Sequence, residues 1–152
     1  RNSLIVLVNM DNRIMITQGE KAPYEIAVED LRQLVKEFIS NDENRADYPE
    51  KHAEDVVYED GGEERVLPSG RQQNITSKHV ISLQTDRSTS YNTYFEVSNE
   101  LYAAYDELRD ELARKEYGKP YGKLDEVQQM LCRLYYKTMI SEAEPRSIGG
   151  GM

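Results

Sequence analysis

The sequence predicts an α+β fold, a two-layer α/β sandwich in which a small mixed β-sheet carries helices on one face. Three observations lead there. Val80-Ile81-Ser82-Leu83 is a short apolar run that stops at Asp86 and is followed, after a few polar residues, by a long helical pattern. Leu4-Ile5-Val6-Leu7-Val8 and Ile14-Met15-Ile16-Thr17 flank Met10-Asp11-Asn12-Arg13, whose Asp and Asn tolerate tight-turn geometry, so the three read as a hairpin. Residues 27–39 repeat apolar side chains at spacings of three and four, the helical period. Helices that pack back on their own sheet give the order β-β-α-(insert)-β-α-α-β.

Each element has its own justification. Residues 4–8 are apolar at every position, which predicts a strand buried on both faces or paired against a partner. In the first helix Val28, Leu31, Val35, Phe38 and Ile39 share a face, with Leu34 beside them. Arg32, Lys36 and Glu37 face out, and Glu29 and Asp30 occupy the first turn, where the helix dipole favours negative charge. Ser40-Asn41 ends it. Residues 41–77 are rich in acids (Asp42, Glu43, Glu50, Glu54, Asp55, Glu59, Asp60, Glu63, Glu64) and predict an inserted, partly mobile surface loop. Within it, Asp60-Gly61-Gly62 between Val56-Val57-Tyr58 and Val66-Leu67 reads as a small hairpin.

The second helix starts near Tyr91 or Asn92, with Ser88, Thr89 and Ser90 as available N-caps. Tyr94, Val97, Leu101, Ala104, Tyr105, Leu108 and Leu112 form its apolar face; Glu96, Asn99, Glu100, Asp106, Arg109 and Asp110 form a solvated one. Tyr117-Gly118-Lys119-Pro120-Tyr121-Gly122 stops it. A third helix over about 124–136 has Asp125 and Glu126 in its first turn and Val127, Leu131, Leu134 and Tyr135 on its buried side. Thr138-Met139-Ile140-Ser141 is a last short strand, and a flexible tail runs from about residue 145 to 152. The whole chain, 1–152, reads as one domain.

Composition narrows function. The net charge is −9, from 19 Lys and Arg against 28 Asp and Glu. Such a surface repels phosphate backbones, and no basic cluster with interleaved aromatics offsets it, so nucleic acid is not an expected partner. No apolar run approaches the ~20 residues that span a bilayer. The first residue is Arg1 rather than Met, which suggests a fragment or processed product; any signal peptide or membrane anchor would lie upstream. The single cysteine, Cys132, sits in an apolar helical run and reads as a small core residue. His52 and His79 have no paired His or Cys nearby in sequence, so no metal or cofactor is expected. No nucleophile motif, dinucleotide fingerprint or phosphate-binding loop occurs. Asp86, at a strand end, has the position of a residue that caps the following turn through its side chain, with ligand binding by Asp86 and Arg87 as the alternative. Tyr91, Tyr94, Tyr102 and Tyr105 recur along one helix, a residue type suited to half-buried core-edge or interface positions.

Several stretches together resemble the ExbD/TolR family of biopolymer-transport proteins, in its longer Bacteroidetes-type ExbD-like form. They are residues 4–9 with the Asp11-Asn12 turn and Ile14-Met15-Ile16; Val28-Glu29-Asp30-Leu31-Arg32; Val80-Ile81-Ser82-Leu83-Gln84-Thr85-Asp86-Arg87 followed by Thr89-Ser90-Tyr91; and Ile140-Ser141-Glu142-Ala143-Glu144-Pro145. The family marker is a strand ending in Asp and a short loop to a Tyr that opens a helix, places held here by Asp86 and Tyr91. Residues 41–77 and part of 117–133 fall outside the resemblance. It implies the periplasmic domain of a single-pass inner-membrane subunit that dimerises within an ExbB/TolQ-like channel. There, proton flow energises a TonB-like or TolA-like protein acting on the outer membrane. The family's transmembrane helix and its aspartate are not in this sequence, so the expectation is a non-enzymatic domain that dimerises and binds a partner, with peptidoglycan as a further possible ligand. The rival expectation is a stand-alone extracytoplasmic module for a small ligand or peptidoglycan. An edge strand offers unpaired backbone groups to an extended peptide or a second copy. Met139, Ile140, Ser141 and Glu142, or else residues 4–8, are the expected contact.

Overall fold

The computed structural model describes residues 1–55, 57–66, 73–76, 78–143 and 145. Its centre is a five-stranded mixed sheet of order β3-β2-β1-β8-β9, built from β1 (Ser3–Val8), β2 (Ile14–Gln18), β3 (Tyr24–Ile26), β8 (Val80–Thr85) and β9 (Ile140–Glu142). β1 pairs antiparallel with β2, from Leu4 opposite Gln18 to Val8 opposite Ile14. It pairs parallel with β8, from Ser3 opposite Val80 to Val8 opposite Thr85. β8 in turn pairs parallel with β9, and β2 antiparallel with β3. The expected hairpin closes through Asn12, which takes φ +59°. Asn9 helps shape that turn, its Oδ1 accepting from the backbone N–H groups of Asp11 and Arg13.

Helices α1 (Val28–Ser40) and α2 (Tyr91–Tyr117) cover one face of the sheet. Strand side chains alternate between faces, so Leu4, Val6, Val8, Ile16, Ile81 and Leu83 point at the helices and are buried. Leu31, Val35, Phe38 and Ile39 of α1 and Val97, Leu101, Ala104, Tyr105 and Leu108 of α2 meet them. Each fully buried aliphatic side chain contributes about 1.5–3 kcal/mol. The sheet's other face carries Ile5, Leu7, Met15, Thr17, Ser82 and Gln84, all only half-buried. β1 is therefore covered by helices on one side and not on both, and its all-apolar composition reflects a central position in the sheet.

The two helices run parallel, and a row of charges crosses between them. Arg32 bonds Glu100 and Glu107, and Lys36 bonds Glu107 and Glu111. Arg32, Lys36 and Glu100, assigned to water by the helical pattern, thus sit at the margin of the helix–helix contact. α1 ends where expected: Asn41 adopts the left-handed conformation at φ +44°, and its N–H donates to the Glu37 carbonyl.

The acidic insert holds more structure than a loop. Asn41 is buried; its side-chain amide donates to the Arg45 and Pro49 carbonyls, and its Oδ1 accepts from the Arg45 N–H. Tyr48 is buried edge-on against Phe38. Gln18 and Arg1 reach from the sheet to the carbonyls of Asp47 and Tyr48. Arg45 and then Lys21 hold the Asp47 carboxyl far below the usual carboxylate range. β4 (His52–Glu54) and β7 (Gln73–Ile75) then form a two-stranded ladder. β5 (Val57–Asp60) and β6 (Glu63–Val66) form the expected hairpin, with Gly61 and Gly62 at φ +61° and +86°. Two successive positive φ angles are what a tight two-residue hairpin turn requires, and glycine accepts both without steric cost. Val56, Leu67 and most of the expected tail lie outside the described residues.

α3 (Glu126–Tyr135) follows a short 3-10 turn at Tyr121–Lys123 and begins with a capping box of Asp125 and Gln128. Its buried face is rotated from the expected one. Leu131 and Cys132 point inward, while Val127 and Leu134 are exposed. Cys132 closes a small second core with Leu112, Ala113 and Leu124. Tyr58 of the inserted hairpin packs on Leu131.

Candidate functional site

The residues singled out by sequence converge at one corner of the sheet, where β8 ends, α2 begins and β9 forms the margin. The loop between β8 and α2 is stitched down locally. Asp86 is buried, its N–H donates to the Val8 carbonyl at 3.0 Å, and its Oδ1 accepts from the Ser88 N–H at 2.7 Å. This is the turn-capping geometry expected of an Asp at a strand end. The Ser90 N–H donates to the Asn12 side chain at 2.9 Å, which ties the loop to the β1–β2 turn. Ser90, of the three available residues, is the N-cap: its Oγ accepts from the Thr93 N–H at 3.1 Å.

With the loop fixed, α2 enters at a set angle and presents aromatics beside β9. Tyr91 is 74% exposed and Phe95 51%, their rings 5.8 Å apart; Tyr102 continues the exposed line about two turns after Phe95. Tyr94 lies lower on the same flank and donates its hydroxyl to Glu142 of β9 at 3.2 Å. Burial, and secondarily Glu142, raises the Tyr94 phenol above its ordinary range. Between flank and strand runs a groove of about 430 Å³ lined by Asp86, Arg87, Tyr91, Tyr94, Glu142 and Pro145. Asp86 and Tyr91 thus border the same groove as the last strand.

β9 is an edge strand. Met139 precedes it, and the Met139 carbonyl accepts from the Ile81 N–H at 2.9 Å; the Ala143 N–H donates to the Leu83 carbonyl at 3.1 Å. Backbone groups alternate in direction along a strand, so the N–H and C=O of Ile140 and Glu142 point away from β8. Among the described residues no strand pairs with that outer margin. Residues 4–8, the other expected contact, are excluded as an edge: β1 is paired on both sides, by β2 and β8.

Several contacts at this corner had no signal in the sequence. The Arg109 guanidinium, expected in water, donates to the Tyr136 carbonyl at 2.8 Å and the Thr138 hydroxyl at 2.7 Å, fixing the approach to β9. Tyr105 accepts the Met139 N–H at 3.1 Å and lies 2.7 Å from His79 Nε2. These pairs are 26 to 34 residues apart, beyond the reach of any helical or strand period.

Two other hollows, of about 540 Å³ beside the first turns of α1 and α2 and about 220 Å³ at the end of α1, include neither Asp86, Tyr91 nor residues 139–142. Among the described residues no group of three His, Cys, Asp or Glu is placed to hold a metal ion, and no helix is long and apolar enough to cross a membrane. The corner offers outward backbone groups, exposed aromatic faces and a few charges: equipment for binding a strand or a planar ligand. Comparison with protein-family models, with curated proteins and with solved structures finds no match.

Proposed function

We propose that the chain is a non-catalytic docking domain of the ExbD/TolR type, which receives an extended strand along the outer margin of β9. In this reading it stands in the periplasm as part of a single-pass inner-membrane subunit. It links an ExbB/TolQ-like channel to a TonB-like or TolA-like protein, and pairs with a second copy of itself. The observation that carries the proposal is that the outer margin of β9, with which no strand pairs among the described residues, shares a groove with the rings of Tyr91 and Tyr94. An added strand would gain backbone hydrogen bonds from Ile140 and Glu142, and its alternate side chains would pack on the rings. The resemblance in element order, and the shared corner of Asp86 and Tyr91, support the family assignment.

Ile140→Pro tests the docking step. The Ile140 N–H points outward, so its loss leaves β8–β9 pairing intact while removing a donor from the margin. The expected outcome is a folded protein that no longer dimerises or captures a co-expressed TonB/TolA-like or ExbB/TolQ-like partner. Retention of both activities sinks the reading. A ~20-residue apolar helix with one Asp immediately upstream in the native gene is the matching expectation for the membrane subunit.

The exposed pair of Tyr91 and Phe95 favours one second reading, a peptidoglycan-binding module, because sugar rings stack on aromatic faces. Binding of muropeptides that is lost in Tyr91→Ala but kept in Ile140→Pro would select it.

A further inference from the structure

A buried polar chain lies behind the groove. His79, in the residue before β8, is 4% exposed and sits between Phe38 of α1 and Tyr105 of α2. Its Nδ1 is 2.5 Å from the Thr76 carbonyl. A carbonyl can only accept, so Nδ1 bears hydrogen. In the neutral ring Nε2 is then the acceptor, and the Tyr105 hydroxyl 2.7 Å away donates to it. The same hydroxyl oxygen accepts the Met139 N–H at 3.1 Å. One directed chain therefore runs from the residue that leads into β9, through Tyr105 and His79, to Thr76. The Thr76 hydroxyl donates in turn to the Ile39 carbonyl in the last turn of α1.

We propose that the His79–Tyr105 pair is an acid-operated latch on the edge strand β9. A proton on the imidazole turns Nε2 into a donor. Nε2–H and the Met139 N–H then both aim at the Tyr105 oxygen, and the phenolic hydrogen loses its acceptor in a fully buried site. Relief comes by turning Tyr105 away or by releasing the Met139 N–H, and either one removes one of the bonds that hold the start of β9. The groups against the ring are Thr76 from the segment before β8, Phe38 of α1 and Tyr105 of α2, and behind them stand Tyr48 on Phe38, and Arg109 and Met139 on Tyr105. Arg109, 5.7 Å from the centroid of the Tyr105 ring, is the one charge among these. Burial lowers the His79 pKa from its ordinary value, with the Thr76 bond opposing more weakly. The latch accordingly stays closed at neutral pH and opens on acidification below the ordinary imidazole range.

NMR of the isotopically labelled 152-residue chain tests this, following the His79 ring nitrogens and amide exchange together from about pH 7.5 to about pH 5. The expected result is a fall of about tenfold in Met139 protection, with the same midpoint as the imidazole, while Val6 and Leu83 at the sheet centre stay protected. His79→Gln, neutral throughout, removes the pH dependence, and Tyr105→Phe leaves Met139 poorly protected at every pH. If either variant fails to fold, the titration of the unaltered chain still decides. Constant Met139 protection while His79 titrates, or a His79 that takes no proton before the whole chain unfolds, overturns the latch. Its effect on docking rests on the reading proposed above. A chain that shows the coupled titration but binds no partner at any pH keeps the latch and sinks the docking.

Discussion

At Arg109 a guanidinium on the nominally solvated side of α2 has a side chain only 13% exposed and satisfies the carbonyl of Tyr136 with two N–H groups. Its nearest carboxylate, Asp106, is 4.0 Å away and largely in water, so its main partners are the carbonyl and the Thr138 hydroxyl. Burial lowers the Arg109 pKa, yet the group stays charged, as arginine does in proteins. Arg109→Leu should cost about 1–3 kcal/mol, because the Tyr136 carbonyl loses its donors. Arg109→Lys should recover only part, since an ammonium cannot reproduce the fork. Urea denaturation of the two variants checks the order. Asn41 makes a similar point. Its left-handed φ suits Gly as well as Asn, but its side chain also holds the start of the insert. Asn41→Gly should therefore destabilise despite keeping the backbone geometry, by about 1–3 kcal/mol, and a neutral result would show that the side-chain bonds contribute nothing.

At the scale of elements, α2 is anchored far better than α3. Its inward face from Val97 to Leu108 joins the main core, its N-cap is satisfied by Ser90, and Gly118 ends it at φ +69°. Leu101→Ala, at a fully buried position, should cost about 2–5 kcal/mol, and Ser90→Ala about 1 kcal/mol. The charge row between α1 and α2 is solvent-accessible, and each such pair is worth only about 0–1 kcal/mol, so the apolar face decides α2. α3 buries only Leu131 and Cys132, against a small satellite core. Its amides should exchange faster than those in the middle of α2, and equal protection would contradict this ranking. The same contrast explains the rotated face of α3. Its apolar residues spread around more than half of the helix, so periodicity allowed more than one inward side, and the choice fell to Leu131 and Cys132 because Leu112, Ala113 and Tyr58 present surfaces there.

For the molecule as a whole, acid should act in two stages. The imidazole of His79 has a lowered pKa in the folded state, so the unfolded chain binds the proton first. Its contribution is fully present above about pH 6.5 and is lost as pH falls below that value. Glu107, beside Arg32 and Lys36, and Asp110, beside Arg114, also have lowered values. Their contributions are present above about pH 4.5 and disappear as pH falls further. Thermal denaturation across pH should show the upper stage in the unaltered chain and not in His79→Gln, with the lower stage common to both. A single transition below about pH 4.5 in both proteins would mean that His79 contributes nothing.

Local chemistry was enough to specify the β1–β2 hairpin, α1 with its end at Asn41, the Gly61-Gly62 turn, and the passage from β8 through Asp86 to the cap at Ser90. In each case the deciding interactions span only a few residues. Short-range patterns did not reveal that β1 is central, that β9 closes the sheet beside β8, or that β3 exists, because those are matters of which strand lies next to which. Ser3 meets Val80 and Ile81 meets Ile140 across long stretches of chain, and no period in the sequence records such pairings. The link from His79 through Tyr105 to Met139, and the groove beside Tyr91, arise only once these strands are side by side. Buried hydrogen bonds between distant residues are chosen by packing, after the local elements have formed.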